Sequence, residues 1–309
     1  MFKNEIIQYL SLTRYKPLKK IIDNLNHYNI NVILDMEDSA QDLFNSENNS
    51  KLKQICRDGI KYLSNTLNNL NNDFYIRINS IQDKNYEMDI QSINRYIKKD
   101  NTHLGIFLPK VESYKDVLKL KEDLKDFKTK IVIISETVKG LKNLSSTLAQ
   151  DQRNLIQGVH YGHFDFCYDA NIWPFTEPFH FEYWDKIFQI LNILKKSEKI
   201  FIQTPYPLLN NSNFFWSSYK HIKENFPEQK FLMSLVNYNK NLLKKPNKIL
   251  PLKLKKISND KEFQLKFSKK IINLYNNLRS RNKSFTLDNK RFIPPHQFLM
   301  AKKFYKNNK

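Results

Sequence analysis

The chain has 309 residues, 40% of them hydrophobic, and a formal charge of +20 at pH 7. That length and apolar share exclude a disordered chain and allow one large core or two ordinary ones. Only eight of the basic residues are Arg, and residues 240–309 carry 20 Lys/Arg against three Asp/Glu, so the basic character belongs to the C-terminal segment.

Apolar runs rich in β-branched residues recur along the chain. They are "YLSLT" (9–13), "NVILDM" (31–36), "FYIRIN" (74–79), "LGIFLPK" (104–110), "KIVIIS" (130–135), "LIQGVHYG" (155–162), "KIFIQT" (199–204) and "KFLMSLV" (230–236). Between them lie polar segments with apolar residues three and four apart, such as 17–28, 112–127 and 181–196, which predict helices. Strict strand–helix alternation implies a parallel sheet, and eight repeats imply a closed (β/α)8 TIM barrel, with an open doubly wound sheet as the alternative. Residues 1–239 are expected to form the barrel. Residues 240–309 are expected to add its last helix and a basic helical extension: a helix near 260–280, then "NKSFTLDNK", then "RFIPPHQFLMAKKFY".

In such barrels chemistry sits at the C-terminal ends of the strands, and here those ends are charged. The second strand runs into Asp35, Glu37 and Asp38; the third ends at Arg77 and Asn79; the fourth gives Lys110 and Glu112; the fifth ends at Glu136; the sixth leads to His163 and Asp165. A carboxylate that ends a buried strand must be solvated, paired or bound to a metal. Glycine adds an independent clue. The chain has only five, and Gly140 and Gly162 lie close to Glu136 and Asp165, where a backbone is expected to approach a ligand closely or to turn.

Taken in order, "ILDMEDS", "RIN", "LPKVES", "ISETVKGL" and "YGHFDF" resemble the HpcH/HpaI aldolase and citrate lyase superfamily, in its citrate lyase beta-subunit-like branch. The resemblance covers roughly residues 10 to 205 and implies a TIM barrel. It places the metal ligands on Glu136 and Asp165, the substrate-activating arginine on Arg77, and an acidic pair that holds a metal-bound water or that arginine on Glu37 and Asp38. The implied reaction makes or breaks a C–C bond next to a carbonyl, through an enolate. The implied cofactor is Mg²⁺, with Mn²⁺ as the alternative ion, and the implied substrate is an oxoacid or an acyl-CoA-type thioester. A homo-oligomer is also implied. Lys110 is assigned to pair with the carboxylates or, alternatively, with Glu112.

The chain departs from the family pattern in three places. "LSLTRYKP" keeps Arg14 without a Pro-Gly before it, and "CYDANIWPFTEPFHFEYW" after Asp165 is unusually aromatic. "IPPHQ" (293–297) loosely resembles an Ile-His-Pro-x-Gln element but sits too late to be given a role. Glycine-rich nucleotide cradles are missing from the sequence, as are zinc, KH and RNP signatures, so nucleic acid is not the expected partner. The rival reading is a non-catalytic barrel that binds a polyanion or a partner through its basic segment. Cys56 and Cys167 are too few for a disulfide framework, and Cys167 is expected to be an inert thiol. Without a signal-peptide core or any run near the ~18 apolar residues of a membrane span, the expected location is cytoplasmic.

Overall fold

Eight parallel strands close into a barrel in the computed structural model, which describes residues 5–42, 44–195, 197–209, 211–236, 242, 245–277, 286–288 and 291–308. In chain order they are β1 (Ile6–Ser11), β2 (Asn31–Asp35), β3 (Phe74–Arg77), β4 (Leu104–Leu108), β5 (Lys130–Ser135), β6 (Ile156–Tyr161), β7 (Ile200–Ile202) and β8 (Phe231–Leu235). β8 pairs back onto β1, so the closed barrel expected from the alternation is the fold, and the open sheet is excluded. β1 begins at Ile6, ahead of the expected Tyr9, and the residues after it form a 3-10 turn at Leu12–Arg14. The Ser11 hydroxyl caps that turn by accepting from the Thr13 N–H. β4 ends at Leu108, short of the expected Lys110, because Lys110 takes a φ of 55°, a left-handed conformation that stops a strand.

Helices α1 (Leu18–His27), α2 (Asn48–Leu67), α3 (Tyr86–Tyr96), α4 (Tyr114–Asp123), α5 (Val138–Ala149), α6 (His163–Asp169), α7 (Phe181–Leu194) and α8 (Ser212–Asn225) lie between and after these strands. Each longer helix turns one stripe inward. In α1, for example, Leu18, Ile22 and Leu25 are buried at intervals of four and three, against the main core. Ser113 and Asp116 form a reciprocal capping box at the start of α4.

A second core fills the barrel itself: Ile7, Tyr9, Ile33, Tyr75, Phe107 and Ile134 are among its members. Side chains alternate across a strand with period two. Ile33 is followed by Asp35, Tyr75 by Arg77, and Ile134 by Glu136, so the same alternation carries three ionisable groups inward at the mouth. This is how an apolar strand comes to end in a charge.

The C-terminal segment crosses the same end of the barrel. The Lys255 N–H donates to the Phe179 carbonyl (3.0 Å), and the Phe181 N–H donates to that of Lys255 (3.1 Å). There follow α9 (Lys261–Asn276), a two-stranded antiparallel hairpin of β9 (Thr286–Asp288) and β10 (Arg291–Ile293), and α10 (Pro295–Asn308). These elements build a small core of their own from Ile271, Tyr275, Ile293, Phe298 and Ala301, with the Tyr275 and Phe298 rings stacked at 4.5 Å. The aromatic stretch after Asp165 is the seat for this segment. Trp173 stacks on Phe267 at 5.6 Å, Phe164 meets Phe292 at 5.9 Å, and Phe175 and Cys167 pack against Met300. Glu177 pairs with Arg291 across the same seam. The expected boundary at 239/240, the ends of the helices expected at 196 and 280, and most of "NKSFTLDNK" lie outside the described residues. No helix among the described residues is long and apolar enough to cross a membrane.

Candidate active site

Asp35 and Arg77 are register partners at the ends of β2 and β3. The guanidinium donates twice to Asp35, Nε to Oδ1 and Nη2 to Oδ2, both at 2.7 Å, and Nη1 donates to Asp38 Oδ2 at 2.9 Å. Nη1 also lies 3.2 Å from Glu37 Oε2, without the alignment of a hydrogen bond. The Tyr9 ring lies 5.2 Å from the guanidinium carbon, a cation–π contact. Around Asp35 the chain folds into a tight turn, with the N–H groups of Glu37 (2.9 Å) and Ser39 (3.1 Å) donating to its carboxylate. Lys53 ties that turn down by donating to the carbonyls of Met36 and Glu37 and to Asn79 Oδ1. The arginine is therefore held in one orientation, with N–H groups to spare for a ligand.

Glu136 is 2% exposed, and its Oε1 accepts the Lys110 N–H at 2.9 Å. Gly162, at the end of β6, touches its other side. A Cβ at position 162 would lie 2.4 Å from Glu136 Cβ and 2.5 Å from Oε2. Burial, then the nearby charges of Asp165 and Glu37, push the Glu136 carboxyl well above the usual range. Burial and Asp38 likewise lift Glu37 to about 7. Asp38 goes the other way: burial opposes its ionisation, but Arg77, His296 and Lys110 hold it well below the ordinary value. Lys110 reaches in over these acids, its Nζ 3.5 Å from Glu37 and 3.9 Å from Asp165, and Glu37 above all raises its pKa. Glu112, its alternative partner, pairs with Lys139 instead at 2.7 Å.

One member of the cluster comes from the far end of the chain. His296, in the first turn of α10, places Nε2 3.2 Å from Asp165 Oδ1. Burial alone would lower its pKa, yet Asp165 and Asp38 raise it to about 9. Single donor atoms of Asp38, Asp165 and His296 all lie within 4.8 Å of one another. The sequence held a hint in "IPPHQ", but nothing local tied that histidine to Asp165.

Other polar residues near the mouth stay outside the cluster. His160 is buried in the barrel, with Nδ1 donating to the Ile202 carbonyl (3.1 Å) and Nε2 accepting from Tyr9 (3.1 Å). His163 is likewise committed, Nε2 to the Thr176 carbonyl (2.7 Å) and Nδ1 to the Tyr161 hydroxyl (3.2 Å). Burial pushes the Cys167 thiol up to about 12, as expected of an inert thiol. Asn79 serves Asp89, donating with Nδ2 at 2.6 Å. At Gly140 a Cβ would meet the Val111 carbonyl oxygen at 2.5 Å, so the missing side chain lets α5 pack on the loop after β4. Arg14 is exposed on the turn after β1.

The donor set fits a divalent cation. Glu37 and Glu136 are buried against the charges of neighbouring acids, and Glu37 Oε2, 3.2 Å from Arg77 Nη1, has no hydrogen bond. Carboxylate oxygens of this kind suit a hard ion that keeps some of its waters.

Neither a family model nor a curated protein matches the sequence. Solved structures do. A citrate lyase from Burkholderia xenovorans LB400 is 12% identical with a TM-score of 0.62, covering 98% of this chain and 91% of that one. A citrate lyase beta subunit from M. tuberculosis, complexed with oxaloacetate and magnesium, is 14% identical with a TM-score of 0.56, covering 75% and 91%. RipC from Yersinia pestis is 17% identical with a TM-score of 0.52, covering 75% and 88%. At such identities the likeness is one of fold, and the citrate lyase-like resemblance of the motifs is matched by the shape of the chain.

Proposed function

We propose that this barrel is a metal-dependent carbon–carbon lyase or aldolase acting on a small oxoacid or acyl thioester. The observation that carries the reading is the convergence, at one barrel mouth, of buried acids crowded against one another with an arginine locked in place beside them. Glu136 and Asp165 would hold Mg²⁺, which supplies Lewis-acid polarisation of a substrate carbonyl. The complex of the M. tuberculosis protein with oxaloacetate and magnesium supports the choice of ion and of substrate class.

Each side chain then has a task that its surroundings suit. Arg77, oriented by Asp35 and Asp38, offers its remaining N–H groups to the oxygen that gains charge as the enolate forms. A donor held in advance costs no reorganisation at that moment. Glu37, lifted to about 7, has the proton affinity of a general acid–base and takes the proton of the cleaved hydroxyl. Lys110, its side chain 41% exposed, is a cation at the rim and pairs with a substrate carboxylate. Tyr9, below Arg77, closes the floor of the site against water.

Calorimetric titration of Mg²⁺ into the chelator-stripped protein, with and without pyruvate or oxaloacetate, tests this. Binding should tighten with the oxoacid, and Glu136→Gln should weaken it by about 100-fold or more, since even outer-shell changes cost about 10–100-fold. No ion binding by the parent protein would overturn the lyase reading and leave the basic segment as the place to look for a polyanion.

A further inference from the structure

We propose that His296 is itself a ligand of the cation, so that the site has a mixed nitrogen–oxygen donor set and prefers Mn²⁺ over Mg²⁺. The inference rests on the metal-site reading above and goes beyond its two carboxylates.

The geometry carries it. His296 Nε2 and Asp165 Oδ1 are 3.2 Å apart. Two ligands bound cis on one ion at about 2.1–2.2 Å lie about 3 Å from each other. Asp38 offers a third donor atom within 4.8 Å of both. Glu37 adds a buried oxygen, Oε2, that no hydrogen bond satisfies.

The ring is also held in place, and on binding the ion Nε2 would release the proton it shares with Asp165. Its edge packs against Tyr168 at 5.8 Å, and α10 is anchored by the Tyr275–Phe298 stack. The Tyr275 hydroxyl donates to the Ile293 carbonyl at 2.8 Å, just ahead of Pro294 and Pro295. A ligand fixed before the ion arrives loses little freedom on binding. The segment that carries His296 is itself seated on the aromatic stretch after Asp165, so one stretch of sequence supplies Asp165 and the seat for its partner.

Chemistry then sets the preference. An all-oxygen site suits Mg²⁺, whereas an imidazole nitrogen favours transition ions, among which Mn²⁺ also accepts carboxylates.

The test is pulsed electron paramagnetic resonance on the full chain loaded with Mn²⁺, with calorimetry of Mn²⁺ and Mg²⁺ beside it. The parent should show nitrogen modulation from a coordinated imidazole, and His296→Gln should lose it. The same change should weaken Mn²⁺ by about 10-fold or more and leave Mg²⁺ nearly unaltered. Bound Mn²⁺ without nitrogen modulation in the parent, or with modulation that survives His296→Gln, would overturn the inference and leave the carboxylate site standing. Failure of the parent to bind either ion would overturn the metal reading and this inference together. Nitrogen-coordinated Mn²⁺ that ignores pyruvate and oxaloacetate would support the inference while counting against the lyase reading.

Discussion

At Gly162 a missing side chain defines the site. The backbone there is not left-handed, with φ −84°, so the requirement is one of space. A methyl group would press on Glu136 Cβ and Oε2 at 2.4 and 2.5 Å, and Glu136 sits in a packed interior with little room to yield. We therefore expect Gly162→Ala to displace the carboxylate and weaken ion binding by about 10-fold or more while the barrel still folds, as for other groups that position a ligand. Titration calorimetry beside a melting curve checks this, and unchanged affinity would show that Glu136 tolerates the push. Gly140 lies equally close to Val111 O, a backbone atom, so alanine there should cost stability first. At this scale the acids were legible because each ends a strand, whereas the reason for each glycine was not, since it concerns atoms on a neighbouring element.

At the scale of elements, the informative piece is α10. It belongs to a small core apart from the main one, so loosening it need not unfold the barrel. Phe298 is 3% exposed, stacked on Tyr275 and in contact with Phe44 at 6.0 Å. Truncating such an aromatic costs about 3–5 kcal/mol. Phe298→Ala should free the C-terminal segment to proteolysis while the barrel's own melting transition stays within a few degrees of the parent's. Loss of both together would mean that segment and barrel unfold as one unit. Strand existence was legible from apolar runs, since a strand buried on both faces needs them whatever follows. Strand ends were less so: the left-handed turn at Lys110 and the capped turn after Ser11 shorten or shift them.

For the whole molecule, two buried neutral histidines tie part of the stability to pH. His160 and His163 are buried with one nitrogen donating to a carbonyl and the other accepting from a tyrosine hydroxyl. Burial lowers their pKa values from 6.5 to about 3 and about 4. Between those values and 6.5 the unfolded chain binds more protons, so the stability they contribute is complete above about 6.5 and is lost as the pH falls through about 4 and 3. A shift of this size amounts to about 3 kcal/mol or more for each. Following the two rings by NMR from pH 7 to pH 5 should find both still neutral, and a ring that charges near 6.5 would mean that it is solvated in the folded protein.

The sequence by itself determined the barrel and the acids at its mouth. Both follow from rules that act within a few residues: apolar runs make buried strands, and the period of two sends every second side chain inward, ending at Asp35, Arg77 and Glu136. It also marked the aromatic stretch after Asp165 as unusual, without a purpose. Only the tertiary structure decided that this stretch seats the C-terminal segment and that His296 arrives beside Asp165. That meeting depends on how α9, the hairpin and α10 pack over the mouth. Packing between distant segments leaves no periodicity in either one, so no local pattern could have announced it.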